Sequence, residues 1–100
     1  MAQFDIYRRA EDGIAFLLDL QDDMLEVLST RVVAPMVPVG AVGPAMRDLN
    51  PRIAVAGAEY VLLTHLLAAI PVGVLGEPVG SAAAQRDEII RAVDFLFTGI

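Results

Sequence analysis

Apolar and polar side chains alternate along the first part of the chain, which is the two-residue period of a strand with one buried face. In residues 3–8, Phe4 and Ile6 share one face of such a strand. After a polar turn at residues 9–13, the same period continues through residues 14–21. The two segments are therefore predicted to pair as an antiparallel hairpin.

Acidic residues, prolines and glycines interrupt the pattern in the middle of the chain. The acidic residues 22–26 predict a turn or a short helical turn. Residues 31–37 are rich in β-branched side chains, but Pro35 and Pro38 lack the N–H that a neighbouring strand would need. We therefore expect this segment to be an edge strand or a bulged strand. Residues 45–49 are predicted to form one helical turn.

Further short strands are predicted in the second half of the chain. Pro51 opens one of them, with Ile53 and Val55 facing inward, and residues 59–64 form the next. Residues 72–75 are predicted to be a short buried strand. Several short strands separated by turns favour a β-rich domain.

The last part of the chain, residues 81–100, has the period of an α-helix, with Ser81 as its expected N-cap. The apolar side chains on one arc, predicted to pack on the sheet, are Ala82, Ile89, Ala92, Val93, Leu96 and Phe97. Phe95 falls among the charged side chains instead. We interpret Phe95 either as a contact for another protein or as a ring that covers the aliphatic stem of Arg91.

The composition strengthens the expectation of a protein partner. The 100 residues suffice for a single domain, residues 1–100, and 56% of them are apolar whereas 20% are charged. An apolar excess in so short a chain favours self-association or another protein contact. Thirteen acidic residues outnumber seven arginines and give a net charge of -6, which disfavours direct binding to nucleic-acid phosphates.

The sequence also bears on the compartment. It opens with polar and charged residues, unlike a secretory signal, and it contains no cysteine for disulfides or thiolate chemistry. The longest uncharged stretch, between Glu59 and Glu77, is interrupted by His65, Pro71 and two glycines. We therefore expect a cytoplasmic protein that does not enter a membrane.

No group of residues predicts catalysis. His65 is the only histidine, so neither a two-histidine metal site nor a conventional catalytic triad can be formed. The acidic side chains that could in principle surround a hard cation are Asp19, Asp22, Asp23 and Glu26. These four lack the spacing and the central glycine of a calcium loop. We therefore assign no catalytic residue, no metal ligand and no cofactor, and we expect that the protein is not an enzyme.

A pattern spread along the whole chain is shared with a known family. The matching positions are Phe4, Tyr7, the run Leu17-Leu-Asp-Leu-Gln21, Asp23, Arg31-Val-Val33, Pro35, Leu49, Pro51, Ile70-Pro-Val72, Val74, Gly76-Glu77, Val79, Ile89, Ala92, Phe97 and Gly99-Ile100. No single position is specific to one family. The order and spacing of the positions, together with the closing Gly99-Ile100, are specific. In these features the chain resembles the CcdB family, the toxins of plasmid and chromosomal toxin–antitoxin modules.

The resemblance implies a fold and a function. The fold would be mainly β with α, an SH3-like antiparallel β-barrel of the CcdB/MazF-like kind with a carboxyl-terminal α-helix, assembled as a two-fold homodimer. Family members poison DNA gyrase by placing the helix ends of both subunits in the cleft of the gyrase A subunit dimer, where they stabilise the cleaved complex. A CcdA-like antitoxin neutralises them, and such modules can serve plasmid maintenance. An acidic toxin surface would favour an antitoxin segment with basic residues.

The resemblance also implies which residues contact each partner. The expected gyrase-binding residues are Phe95, Thr98, Gly99 and Ile100. The expected residues of the dimer interface are Leu20, Gln21, Asp23, Ile70, Val72 and Phe97. No residue is expected to be catalytic or to bind a metal ion.

One departure from the family pattern leaves the target open. Members that poison gyrase usually end in Trp-Gly-Ile, and the tryptophan stacks on an arginine of gyrase, whereas this chain has Thr98 at that position. Either Phe95 or Phe97 replaces the missing aromatic surface, or the chain binds antitoxin but does not poison gyrase. A third alternative, a MazF-like endoribonuclease, would need a basic RNA groove, which seven scattered arginines do not suggest.

Overall fold

The computed structural model describes residues 2–100. Its strands are β1 (Asp5–Glu11), β2 (Ile14–Asp19), β3 (Thr30–Pro38), β4 (Arg52–Val55), β5 (Ala58–Leu62), β6 (Ala68–Pro71) and β7 (Gly80–Ser81). Short 3-10 helices lie at Asp23–Leu25, Thr64–Leu66, Val72–Val74 and Ala83–Gln85, and the α-helix, α1, spans Arg86–Thr98. No helix within residues 2–100 is long and apolar enough to cross a lipid bilayer.

The strands form one antiparallel sheet in the order β4-β5-β3-β2-β1-β7, and β6 pairs with the first part of β3. The sheet curls into a nearly closed barrel, and α1 follows it at the end of the chain. The predicted architecture, an antiparallel β-barrel with a carboxyl-terminal helix, is therefore confirmed.

The side chain of Gln85, from the 3-10 helix that follows β7, pairs with β4, the strand at the other end of the sheet. Its Nε2 donates a hydrogen bond to the carbonyl oxygen of Arg52 at 2.7 Å, and its Oε1 accepts one from the backbone nitrogen of Ala54 at 3.4 Å. Both backbone groups lie on the side of β4 that faces away from β5. The amide of Gln85 thus pairs with the free edge of β4 as a neighbouring strand would.

The predicted hairpin of β1 and β2 is confirmed, with Tyr7 opposite Leu17. Its loop is shorter than expected, because β1 continues to Glu11. Asp12 and Gly13 have φ values of 54° and 80°, the left-handed geometry of the two-residue turns that match the twist of paired strands. Two residues therefore reverse the chain where a five-residue turn was predicted.

Both faces of the central strands are buried. The cluster that includes the buried face of α1 consists of Phe4, Ile6, Phe16, Leu18, Ala34, Met36, Ile53, Leu62, Ala82 and Ile89. A smaller cluster on the other face contains Tyr7, Leu17, Val33 and Leu75. Burial on both faces explains why β2 and β3 are so uniformly apolar.

The prediction that residues 31–37 form an edge strand or a bulged strand was wrong. β3 lies inside the sheet, paired with β2 on one side and with β6 and then β5 on the other. Pro35 falls between the residues paired with β6 and those paired with β5, so its missing N–H interrupts neither ladder. Its carbonyl oxygen still accepts a hydrogen bond from the nitrogen of Leu63 at 2.9 Å.

The prediction of a buried strand at residues 72–75 was also wrong. The strand here is β6, which ends at Pro71, and Val72–Val74 is a 3-10 helix. The nitrogen of Val72 donates to the carbonyl of Ser29, and the nitrogen of Leu75 donates to the carbonyl of Val72 at 3.1 Å. This turn buries Leu75 without any strand pairing. The apolar character of residues 72–75 therefore predicted burial correctly for Leu75 but did not indicate a strand.

The helix begins five residues later than predicted, at Arg86 rather than at residue 81. Ser81 instead ends β7, opposite Asp5 of β1. Its Oγ accepts a hydrogen bond from the nitrogen of Ala83 at 3.1 Å, so it caps the turn before α1 and not α1 itself. The exposed edge of β1 recruits these residues into the sheet before the helix can start.

The buried stripe of α1 is narrower than the predicted arc. Its fully buried residues are Ile89 and Ala92, whereas Phe97 is 69% exposed and Phe95 is half-buried. At about 100° per residue, Phe95 and Phe97 lie on opposite shoulders of this stripe. The prediction that Phe97 packs on the sheet and Phe95 faces water was therefore wrong for both rings.

Candidate functional site at the end of the helix

A glycine in the left-handed conformation ends α1. Gly99 has φ 75° and ψ 14°, and its nitrogen donates to the carbonyl oxygen of Phe95 at 2.9 Å. Among residues 2–100, no atom lies within 4 Å of the position that a Cβ on Gly99 would occupy. The need for glycine is thus conformational rather than steric, and this cap sets the direction in which Ile100 leaves the helix.

The predicted gyrase-binding residues differ in what they offer a partner. Ile100 is 88% exposed, Thr98 and Gly99 are exposed, and Phe95 is half-buried. The hydroxyl of Thr98 donates to the carbonyl oxygen of Asp94 at 2.7 Å, so it is already used within the helix. The large aromatic surface at this end belongs to Phe97. We call Phe97, Thr98, Gly99 and Ile100 the helix end.

The helix end has a negative electrostatic character. The last turn of α1 contains no basic residue, and Asp94 lies exposed on it. The unpaired carbonyl groups at a helix carboxyl terminus add a partial negative charge. An exposed aromatic ring beside this negative end is suited to contact a cationic group such as a guanidinium.

The predicted dimer residues mostly gather at one end of β3. Leu20 donates from its nitrogen to the carbonyl of Val32 at 2.9 Å, and Ile70 lies opposite Arg31 in the β3–β6 ladder. Val72 is joined to Ser29, just before β3, and Gln21 and Asp23 follow Leu20 in the chain. Phe97 lies apart from this group on α1. The interface itself stays a prediction.

A buried ion pair holds this end of β3 together. Nη2 of Arg31 lies 2.7 Å from Oδ2 of Asp19, and both side chains are at most 1% exposed. Nη2 of Arg31 also donates to the carbonyl of Gln21 at 3.0 Å, and the nitrogen of Gln21 donates to Oδ1 of Asp19. Burial raises the pKa of Asp19, and the hydrogen bond from Arg31 opposes that rise.

The side chain of Gln21 fixes the loop that follows β2. Its Nε2 donates to the carbonyls of Leu25 and Thr30, and its Oε1 accepts from the nitrogen of Val32 at 3.0 Å. Asp22 caps the predicted helical turn by accepting from the nitrogen of Met24. The loop exposes a set of apolar side chains, namely Met24, Leu25, Val27 and Leu28. Sequence reasoning missed this apolar loop, because its residues follow no helical or strand period.

The remaining candidates do not form a site of their own. His65 is exposed, and its Nδ1 lies 3.4 Å from Nδ2 of Asn50. Two of the acidic side chains considered for a cation face an arginine instead: Nη2 of Arg31 lies 2.7 Å from Asp19 and 3.9 Å from Asp23. Asp23 also accepts a hydrogen bond from the nitrogen of Gln3 at 2.6 Å. Among residues 2–100, no group of three histidine, cysteine or acidic side chains could hold a metal ion.

The comparison with known families covers nearly the whole chain. The model of the CcdB protein family matches residues 3–99, which include the barrel, α1 and the Gly99 cap. The match thus agrees with the resemblance seen in the sequence and with the barrel-plus-helix architecture. The chain belongs to the CcdB family, the toxins of toxin–antitoxin modules.

Proposed function

We propose that this toxin binds the A subunit of DNA gyrase through its helix end and stabilises the cleaved gyrase–DNA complex. It acts in the cytoplasm as a homodimer, is not an enzyme, and is neutralised by a CcdA-like antitoxin. The observation that carries this proposal is the exposure of Phe97, 69%, beside that of Ile100, 88%, at the end of a helix anchored in the core.

Phe97 offers the aromatic surface that Thr98 lacks. Neighbouring residues on a helix point about 100° apart, so Phe97 presents its ring from a different side than a residue at position 98 would. An arginine of gyrase would therefore approach from the Phe97 side, attracted by both the ring and the negative helix terminus. Ile100 adds a second apolar contact whose direction is set by the Gly99 cap.

A two-fold dimer would present two helix ends at once. An isologous interface repeats every contact, so a modest contribution from each Phe97 is doubled in the complex. The side chains at the start of β3, with the buried Asp19–Arg31 pair beneath them, are a rigid base for that interface. This arrangement supports the homodimer and suits a two-fold symmetric target such as the gyrase A subunit dimer.

One observation favours a second candidate function, an antitoxin-binding homologue that does not poison gyrase. The hydroxyl hydrogen of Thr98 is donated to the carbonyl oxygen of Asp94, so this hydroxyl can offer a partner only an acceptor and no aromatic surface. If only a ring at position 98 can reach the gyrase arginine, Phe97 cannot replace it. The MazF-like endoribonuclease is disfavoured by the net charge of -6, which opposes RNA binding.

The test is gyrase-dependent DNA cleavage by purified variants, together with binding to the isolated gyrase A subunit. Phe97→Ala is expected to weaken binding by about 30-fold, which corresponds to about 2 kcal/mol for a central aromatic contact. Leu66→Ala is the matched control, since Leu66 is an exposed apolar residue outside the helix end. It should retain wild-type binding.

A gain-of-function variant separates the two candidates. Thr98→Trp should strengthen cleavage severalfold if the native protein already poisons gyrase. Cleavage that appears only in Thr98→Trp, with none from the native dimer, would support the homologue that has lost the target. Equal activity of Phe97→Ala and the native protein would refute the role of Phe97.

A further inference from the structure

A cleft lies between α1 and the loop that leads into β4. Its walls are formed by Arg47, Asp48, Pro51, Glu88 and Arg91, and it has a volume of 380 Å³. An adjoining space of 350 Å³ shares Arg47, Pro51 and Glu88 and extends the cleft to Arg52 and Asn50. We call these two adjoining spaces together the arginine cleft.

Three of the seven arginines line this cleft, and all three are unpaired. Within residues 2–100, Arg47, Arg52 and Arg91 make no ion pair shorter than 4.0 Å, and their side chains donate no hydrogen bond. The other four each have a partner, in Glu11 for Arg9, Asp19 for Arg31, Asp87 for Arg86 and the Phe16 ring for Arg8. The free guanidinium groups are therefore confined to one place.

The backbone that carries these arginines is held rigidly. Asn50 is 7% exposed; its Oδ1 accepts from the nitrogen of Met46, and its Nδ2 donates to the carbonyl of Leu62 at 3.1 Å. The carbonyl of buried Pro51 accepts from the nitrogen of Leu62 at 3.0 Å. Arg91 projects from α1, opposite this loop. The hydrogen bonds of Asn50 and Pro51 tie the loop before β4 to β5, which lowers the entropic cost of ordering its backbone when a ligand binds.

The charge of the cleft is opposite to that of the chain. Three arginines face two acidic side chains, Asp48 and Glu88, in a protein of net charge -6. A dense polyanion such as a nucleic-acid backbone would place adjacent charges against both acids of the cleft. Separated carboxylates can each reach a guanidinium fork, while neighbouring backbone N–H groups face Asp48 and Glu88.

We infer that the arginine cleft binds an acidic segment of a partner protein, with aspartate or glutamate side chains seated on Arg47, Arg52 and Arg91. This differs from the basic segment that the acidic composition of the whole chain would favour. The inference is independent of gyrase binding, because none of the helix-end residues lines the cleft. Loss of gyrase activity in Phe97→Ala would leave it unaffected.

The test uses the full chain and two capped, fluorescent peptides, one alternating glutamate with glycine and one alternating glutamine with glycine. The glutamate peptide is expected to bind and the glutamine peptide is not. A variant with Arg47→Gln, Arg52→Gln and Arg91→Gln together should weaken binding of the glutamate peptide by about tenfold or more, since each charge-assisted pair is lost. Thermal unfolding confirms that the variant is folded.

The matched control carries Arg8→Gln, Arg9→Gln and Arg86→Gln, which changes the net charge equally but leaves the cleft intact. It should weaken binding by less than about twofold, because screened charges outside the site act only at long range. Equal loss in both variants would overturn the inference, as would equal binding of the two peptides. Displacement of the glutamate peptide by inorganic phosphate at matched concentration of anionic groups would show a small-anion site instead.

Discussion

Tyr7 is a fully buried tyrosine whose hydroxyl has no hydrogen-bond partner among residues 2–100. Burial, with smaller contributions from Asp5 and Asp19, raises the pKa of Tyr7 from 10.0 to about 12. Between these two values the unfolded chain loses the phenolic proton while the folded chain keeps it. The folded state then binds more protons than the unfolded state. The free energy of unfolding is therefore unaffected by this group below pH 10 and falls as the pH rises toward about 12.

Tyr7→Phe should therefore remove an alkaline loss of stability of about 3 kcal/mol. Near neutral pH the same variant should stay within about 1 kcal/mol of wild type, since the lost hydroxyl has no partner. Urea unfolding across the alkaline range measures both quantities. Tyr60→Phe removes the other tyrosine and keeps Tyr7, so its free energy of unfolding should fall with pH as steeply as that of wild type. If Tyr7→Phe showed the same fall, the alkaline loss of stability would not be due to Tyr7.

Single residues were the least predictable scale of this molecule. Asp19 was grouped in the sequence with three acidic side chains that could surround a cation, but it lies buried at the end of β2 against Arg31. Their separation of 12 positions in the chain carries no local signal, because β2–β3 pairing brings them together. Likewise, the number of arginines in the sequence did not show that three unpaired ones lie together in the cleft.

At the scale of elements, one side chain, Gln85, makes two hydrogen bonds to the free edge of β4. Gln85→Ala removes both hydrogen bonds to the free edge of β4 and should lower the free energy of unfolding by about 1 to 2 kcal/mol. Gln85→Glu is the sharper probe, because its carboxylate can accept from Ala54 but cannot donate to Arg52.

The effect of the Gln85 variants should be local to the seam between β4 and α1. Amide hydrogen exchange should accelerate in β4 and in the first turn of α1 while β2 and β3 stay protected. Gln3→Ala, which removes a different side-chain bond to a backbone carbonyl, at Leu20, serves as the control for a general loss of stability. Unchanged exchange in β4 would show that Gln85 does not hold the seam.

The elements themselves were predicted best where the pattern was local. The β1–β2 hairpin, the helical turn after Asp22 and the inward face of Ile53 follow from alternation, capping and burial within a few residues. The location of β3 inside the sheet and the late start of α1 were not predicted. Both depend on partner strands that are distant in the sequence, and these override local preferences.

At the scale of the whole molecule, the expected homodimer makes a direct prediction. Val72→Asp should convert the dimer to a monomer, because a two-fold interface would bury the new carboxylate twice and close to its symmetry mate. Sedimentation equilibrium measures the change, with a dissociation constant expected to rise by about 100-fold or more.

Val39→Asp is the matched control for this prediction, since Val39 is a half-exposed valine outside the predicted interface. It should leave the association unchanged. Circular dichroism of both variants separates dissociation from unfolding. A Val72→Asp protein that remains dimeric and folded would place the interface elsewhere, with the exposed apolar loop as the next surface to probe.

The sequence by itself determined the family, through the order and spacing of its residues, and the presence of a terminal helix, through local periodicity. The barrel class followed from the resemblance to that family. Only the tertiary structure decided which side chains that helix leaves exposed. A shift of one residue turns a helical side chain by about 100°, so the choice between Phe95 and Phe97 depends on how α1 rests on the sheet. The same packing gathered three unpaired arginines from the loop before β4, from β4 and from α1 into one cleft.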